Sequence, residues 1–272
     1  MTELPPLRDV LEAHGLSADK RFGQHFLLDL NVTRKIARLA GPFDENVVIE
    51  VGPGPGGLTR ALLESDATQV VVVEKDRRFI PLLEDLAAAS GGRLAVVEGD
   101  ALKVDETALL DGSVGHLVSN LPYNVGTPLL IKWLTGPWRP QSLTLMFQKE
   151  VADRVAARPG TAAYGRLSVI SQAVCEARVV MDLPARAFTP PPKVASAVVR
   201  LDPRADAPSS DTLKALEKVT AAAFGQRRKM LRSSLKALGG ATLCETASIS
   251  PDARAETIDV AGFLRLAEAI TT

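Results

Sequence analysis

The residues best suited to chemistry are Asn120, Leu121, Pro122 and Tyr123, which follow the short apolar run Val114 to Val118. They offer an amide oxygen, a free main-chain carbonyl, a rigid φ and an aromatic face. Together these groups suit a flat base that carries an amine: the two oxygens accept its hydrogens and the ring stacks on its face. Asn and Pro are also common turn formers, so a plain turn after a strand is the competing reading. If Val114 to Val118 is a buried strand, the four residues leave its carboxyl end, the edge where ligands bind in open α/β sheets.

Other strands must share that edge. Val47 to Val51 is a β-branched run of the kind that forms a fully buried strand. It enters Gly52-Pro53-Gly54-Pro55-Gly56-Gly57 and then a helix from Leu58. Strand, glycine turn and helix form the nucleotide-binding arrangement, and Gly52, Gly54 and Gly57 match G-x-G-x-x-G. Pro53 and Pro55, however, lack the N–H groups that a pyrophosphate would use. The overlapping pattern Glu50-x-Gly52-x-Gly54-x-Gly56 suits a ligand without phosphates, S-adenosylmethionine (SAM) foremost. A second strand, Gln69 to Val73, ends in Glu74, 22 residues beyond Gly52. An acid there can accept from both ribose hydroxyls and repels a 2′-phosphate; Asp76 is the lesser candidate. A third strand, Leu94 to Val97, leads to Asp100, an acceptor for the adenine amine of the cofactor. Each acid alone also reads as a helix cap. Three consecutive strands leading to Glu50, Glu74 and Asp100 favour a shared ligand.

The remaining pattern fills out an α/β domain. Leu7 to His14 has helical spacing and stops at Gly15. Lys20 to Leu27 mixes aromatic, basic and glycine residues, as a lid or an ordinary linker would. Asp29 is a good N-cap for a helix to Ala40. Helices are expected over 127–134, 150–157 and 167–175, and strands over 142–147, 178–183 and 194–201. Phe188 heads a loop stiffened by Pro190, Pro191 and Pro192; it reads as an exposed aromatic, with a core-edge anchor as the alternative. Asp202 to Ser210 is a linker by composition. Helices over 212–224, 229–238 and 260–270 follow. The expected division is a catalytic α/β domain over 1–204, with the first 40 residues forming a helix and lid, and an all-helical domain over 205–272. Arg227, Arg228, Lys229 and Arg232 lie in a stretch without acids, and phosphates are the expected target.

Composition sets the bounds. The chain has 272 residues, 46% of them hydrophobic, which excludes a disordered chain. No apolar run approaches a membrane span, and the charged first 16 residues read as neither signal nor transit peptide. Cys175 and Cys244 lack Cys-x-x-Cys spacing and suit buried thiols in a reducing cytosol. The three histidines form no metal-ligand pair, so no metal is expected. Net charge is zero, yet Arg186 to Lys236 holds 11 Lys/Arg against 4 Asp/Glu. Such asymmetry makes a basic face on a neutral protein.

These motifs closely resemble the ribosomal RNA adenine N6-dimethyltransferases, in particular the small-subunit branch. The resemblance runs through Arg21 to Leu27, Glu50 to Thr59, Glu74 to Asp76, Gly99 to Ala101, Asn120 to Tyr123, Phe188 to Val194 and Phe224 to Leu235. It implies a Rossmann-like SAM-dependent methyltransferase domain with a seven-stranded, mostly parallel sheet and a small C-terminal helical domain. It implies SAM against His25, Leu27, Gly52, Glu74, Asp100 and Asn120, and an everted adenine held by Asn120 and Leu121 between Tyr123 and Phe188. The implied substrate is a pair of adjacent adenosines in 16S rRNA within an immature small ribosomal subunit, the implied location the cytoplasm. A monomer is the default, since no coiled coil or spare apolar stripe is evident. Two positions depart from the family, which usually has Asn where His25 and Ser233 stand. The first puts the His25 side-chain contact in question; the second bears on RNA grip.

Overall fold

The computed structural model describes residues 4–18 and 24–271; Lys20 to Gly23, the front of the expected lid, lie outside them. Seven strands form one sheet: β1 (Val47–Val51), β2 (Gln69–Glu74), β3 (Leu94–Glu98), β4 (Gly115–Asn120), β5 (Leu143–Gln148), β6 (Cys175–Leu183) and β7 (Ser196–Pro203). Their order is β3-β2-β1-β4-β5-β7-β6. Pairings β1–β2, β1–β4, β2–β3 and β4–β5 are parallel. The five residues of β1 are all buried, as is β2 after Gln69, which is why these strands are continuous β-branched runs. The chain moves outward from β1 to β3 and returns to place β4 on the other side of β1. That reversal opens a crevice at the carboxyl ends of β1 and β4, where Gly52 and Asn120 stand.

The helices are α1 (Leu7–Ala13), α2 (Leu30–Ala40), α3 (Gly57–Leu63), α4 (Ile80–Ala89), α5 (Glu106–Leu110), α6 (Gly126–Thr135), α7 (Lys149–Val155), α8 (Arg166–Val174), α9 (Ser210–Gly225), α10 (Leu231–Ser234), α11 (Gly240–Thr246) and α12 (Val260–Ala269). Asp29 caps α2 by accepting from the Asn31 N–H at 2.9 Å, as expected. Helices α4, α5 and α11 go beyond the expected set. Phe79 stands at the N-cap of α4 and Gly239 at that of α11, neither with a capping side-chain bond, so the usual start signal is missing. The helix expected over 229–238 is interrupted. Arg227 and Arg228 lie in a turn, α10 has four residues, and a 3₁₀ turn covers Lys236–Leu238.

Two compact units emerge. The first comprises 1–130, 140–152 and 179–200; the second comprises 131–139, 153–178 and 201–272. The second is therefore larger than the expected 205–272, because α8 packs with α9 and α12. In its core, Tyr164 meets Phe224 edge-on at 6.0 Å, and Phe224 stacks on Phe263 at 5.4 Å. The Tyr164 hydroxyl donates to the Ile258 carbonyl at 2.9 Å. No helix among the described residues is long and apolar enough to cross a membrane.

Candidate active site

One cavity in the first unit gathers the sheet's carboxyl edge. His25, Leu27, Gly52, Glu74, Asp100, Asn120, Leu121 and Tyr123 all line it, as do Glu50, Asp76 and Asn124. The glycine turn makes the floor. Gly52 leaves β1 at φ +66°, a conformation that L side chains rarely adopt. Gly57 is required by contact: a Cβ there would lie 2.4 Å from the Leu27 carbonyl oxygen. Residues 24–27 thus form a strap laid directly on the turn.

The strap is anchored at both ends. The Gln24 amide donates to Asp76 Oδ2 at 2.9 Å. Phe26 and Thr189 form an isolated antiparallel bridge, Phe26 N–H to Thr189 carbonyl at 3.0 Å and the reverse bond at 2.9 Å. His25 Nδ1 donates to the Pro190 carbonyl at 2.8 Å. Gln24 and Thr189 lay outside the expected site. A polar residue inside the strap was a signal for the first, but an isolated bridge leaves no periodic trace.

Glu74 is 6% exposed, and its two carboxylate oxygens accept from the Gly54 N–H at 3.0 Å and the Asp76 N–H at 2.7 Å. These bonds fix the side chain without exhausting the acceptor positions of its two oxygens. Burial raises its pKa above the usual carboxylate range, against those bonds. Asp100 behaves oppositely: Lys75 Nζ at 2.9 Å and the Leu102 N–H at 3.1 Å hold its pKa below the usual value.

Glu50 is 1% exposed and accepts from the Thr59 hydroxyl at 2.6 Å. Burial lifts its pKa to about 8, with a smaller push from Glu74. Its unfolded counterpart ionises first as pH rises, so the Glu50 contribution to stability is full at acid pH and fades toward pH 8. Glu50→Gln removes that dependence. The melting-temperature difference between variant and parent, both ligand-free, is expected to shift in the variant's favour from about pH 5 to about pH 8 and then level. A difference that stays flat with pH would refute this.

The Asn120 amide donates through Nδ2 to the His25 carbonyl at 3.3 Å. Among the described residues neither Asn120 Oδ1 nor the Leu121 carbonyl accepts a hydrogen bond. Both acceptors proposed from the sequence are therefore unpaired among the described residues, on two residues that line the cavity. The Tyr123 hydroxyl lies 2.7 Å from Ser196 Oγ, and its ring lies 5.5 Å from that of His25.

Phe188 departs from its expectation of exposure. It is 3% exposed, outside the cavity lining, in the apolar cluster that holds Phe26, Leu183 and Val198. The bridge beside it explains this: pairing of Thr189 with Phe26 carries the preceding aromatic inward. Arg227, Arg228, Lys229 and Arg232 lie in the second unit and are exposed. Cys175 and Cys244 are buried free thiols.

A switch-point sheet whose glycine turn, acidic strand ends and Asn-Leu-Pro-Tyr loop line one cavity defines the class: a Rossmann-like methyltransferase. Comparison with known proteins narrows it. The family model described as ribosomal RNA adenine dimethylase matches residues 15–272, and the chain belongs to that family. It is 71% identical to ribosomal RNA small subunit methyltransferase A of Phenylobacterium zucineum, over 98% of this chain and 93% of that one. Identity to the protein of the same description from Caulobacter vibrioides is 72%, over 93% and 97%. Among solved structures, a dimethyladenosine transferase from Plasmodium falciparum matches with TM-score 0.74 and 26% identity, over 89% and 96%. The 23S rRNA methyltransferase ErmE matches with TM-score 0.68 and 26% identity, over 91% and 100%.

Proposed function

We propose that this enzyme uses SAM to dimethylate the N6 amines of two adjacent adenosines in 16S rRNA of an immature small ribosomal subunit, as a cytoplasmic monomer. The observation that carries this is the pair of free acceptors, Asn120 Oδ1 and the Leu121 carbonyl, in the cavity that also contains the glycine turn and Glu74. The residues fit the cofactor. Bare backbone at Gly52, the fixed carboxylate of Glu74, and Asp100 just past the end of β3 suit an adenosine, and the phosphate donors lost at Pro53 and Pro55 are not needed. When bound, SAM supplies a methyl group made electrophilic by its sulfonium.

The chain's own residues prepare the nucleophile. An adenine amine is weakly nucleophilic because its lone pair is delocalised into the ring. Accepting both its hydrogens at Asn120 Oδ1 and the Leu121 carbonyl lets the nitrogen pyramidalise and localises that pair. Both bonds strengthen as the nitrogen becomes cationic, so they favour the transition state over the ground state. No strong base is needed, since the cationic nitrogen releases its proton readily. Tyr123 stacks on the everted base, a contact worth about 1–3 kcal/mol. Phe188 is buried in the apolar cluster with Phe26, and stacking on the base would require its ring to move outward.

The basic turn after α9 and the short helix α10 serve the RNA in this reading. Arg232 is paired with Asp252 at 2.8 Å, and Arg227 donates to the Ala162 carbonyl at 2.8 Å. The side chains of Arg228 and Lys229 are exposed and make no hydrogen bond or ion pair among the described residues, so they are the phosphate contacts of choice. Replacing both with alanine is expected to weaken RNA binding and lower the salt dependence by about 1.5–2 in log–log slope, leaving SAM affinity unchanged. An unchanged slope would remove them from the interface. The direct test of function is mass spectrometry of RNA nucleosides after incubation with SAM and undermethylated small subunits. Dimethyladenosine should appear there and not in large-subunit RNA or duplex DNA offered in parallel.

A further inference from the structure

Tyr123 is restrained from two sides by one stretch of chain. Its hydroxyl meets Ser196 Oγ at 2.7 Å, and Ser196 has 0% exposure at the start of β7. Its ring faces His25 at 5.5 Å and 33°, and His25 is held through Nδ1 by the Pro190 carbonyl. Pro190 and Ser196 belong to the same short segment. Ser196 itself is outside the cavity lining.

A stacking aromatic is effective only if its plane is set beforehand, because freezing two side-chain torsions on binding consumes part of the contact energy. The phenol is half-buried, and burial raises its pKa. A hydroxyl so placed needs a partner, and Ser196 provides it. We propose that Ser196 is a positioning residue for methyl transfer: through the hydroxyl–hydroxyl bond it fixes the Tyr123 ring plane against which the adenine stacks. This rests on the reading of Tyr123 as the stacking residue.

The test is a double-mutant cycle in the full-length enzyme with SAM and undermethylated small subunits, using Ser196→Ala, Tyr123→Phe and the double variant. Tyr123→Leu serves as a separate check on stacking. Ser196→Ala and Tyr123→Phe are each expected to lower kcat by about fivefold to twentyfold, with KM for SAM within about twofold of the parent. The double variant should be no slower than the slower single, since both changes delete one bond. A merely structural serine would lower the melting temperature without this coincidence in kcat. Should Ser196→Ala fail to fold, Tyr123→Phe removes the same bond from the other side and decides alone. Singles that match the parent, or losses that multiply in the double variant, overturn the proposal. If Tyr123→Leu keeps the parental rate, the stacking reading falls and the positioning role with it. If Tyr123→Leu collapses while both hydroxyl deletions match the parent, only the positioning role falls.

Discussion

Asn120→Ala is expected to slow single-turnover methylation by about a hundredfold to a thousandfold, the loss typical when one preorganised partner of developing charge is removed. The fold should survive, because the Asn120 side chain makes only the bond to the His25 carbonyl within the described protein. SAM affinity should fall by less than about tenfold, since Glu74 and the glycine turn remain. Rapid-quench methylation with isothermal calorimetry for SAM separates the two effects. A variant methylating at the parental rate would end the acceptor-pair mechanism. Asn120→Asp adds a finer reading. After the first transfer the amine has one hydrogen left, and a neutral amide tolerates the arriving methyl better than a carboxylate deprived of its partner. The aspartate variant is therefore expected to accumulate monomethylated adenosine, and full second-methyl activity would count against this account.

Glu74→Ala should raise the dissociation constant for SAM by about a hundredfold or more, from two hydrogen bonds to a charged acceptor at about 1.5–3 kcal/mol each. The substitution also strips the Gly54 and Asp76 N–H groups of their acceptor, so the turn loosens along with the contact. Glu74→Gln distinguishes the two causes. The amide retains one oxygen acceptor but places donors against a backbone N–H, so SAM binding should fall nearly as far while melting changes less. Calorimetric titration at matched pH decides this. Unchanged SAM affinity in both variants would move the ribose elsewhere.

The sheet was legible because its central strands are buried on both faces: Val47 to Val51 and Val70 to Val73 could belong nowhere else. The lining of the candidate cavity followed, since glycines, acids and the Asn-Leu-Pro-Tyr loop all stand at strand ends. Residues recruited from afar were not legible. Ser196 lies 73 positions from the tyrosine it meets, and Thr189 lies 163 from Phe26; one hydrogen bond has no period to read. The burial of Phe188 shows the same limit, as an aromatic before three prolines looks exposed until its neighbour pairs with the strap. Helices without a capping side chain, α4 and α11, escaped for the complementary reason: their ends lack the local chemistry that marks a start.

The Phe26–Thr189 bridge has a mechanical result. It ties the strap over the cavity to the segment that meets the tyrosine, so neither can swing alone without breaking two main-chain bonds. On the proposed function, exchanging the donor under that strap would also disturb the hold on the nucleobase, so the backbone itself would couple the two substrates.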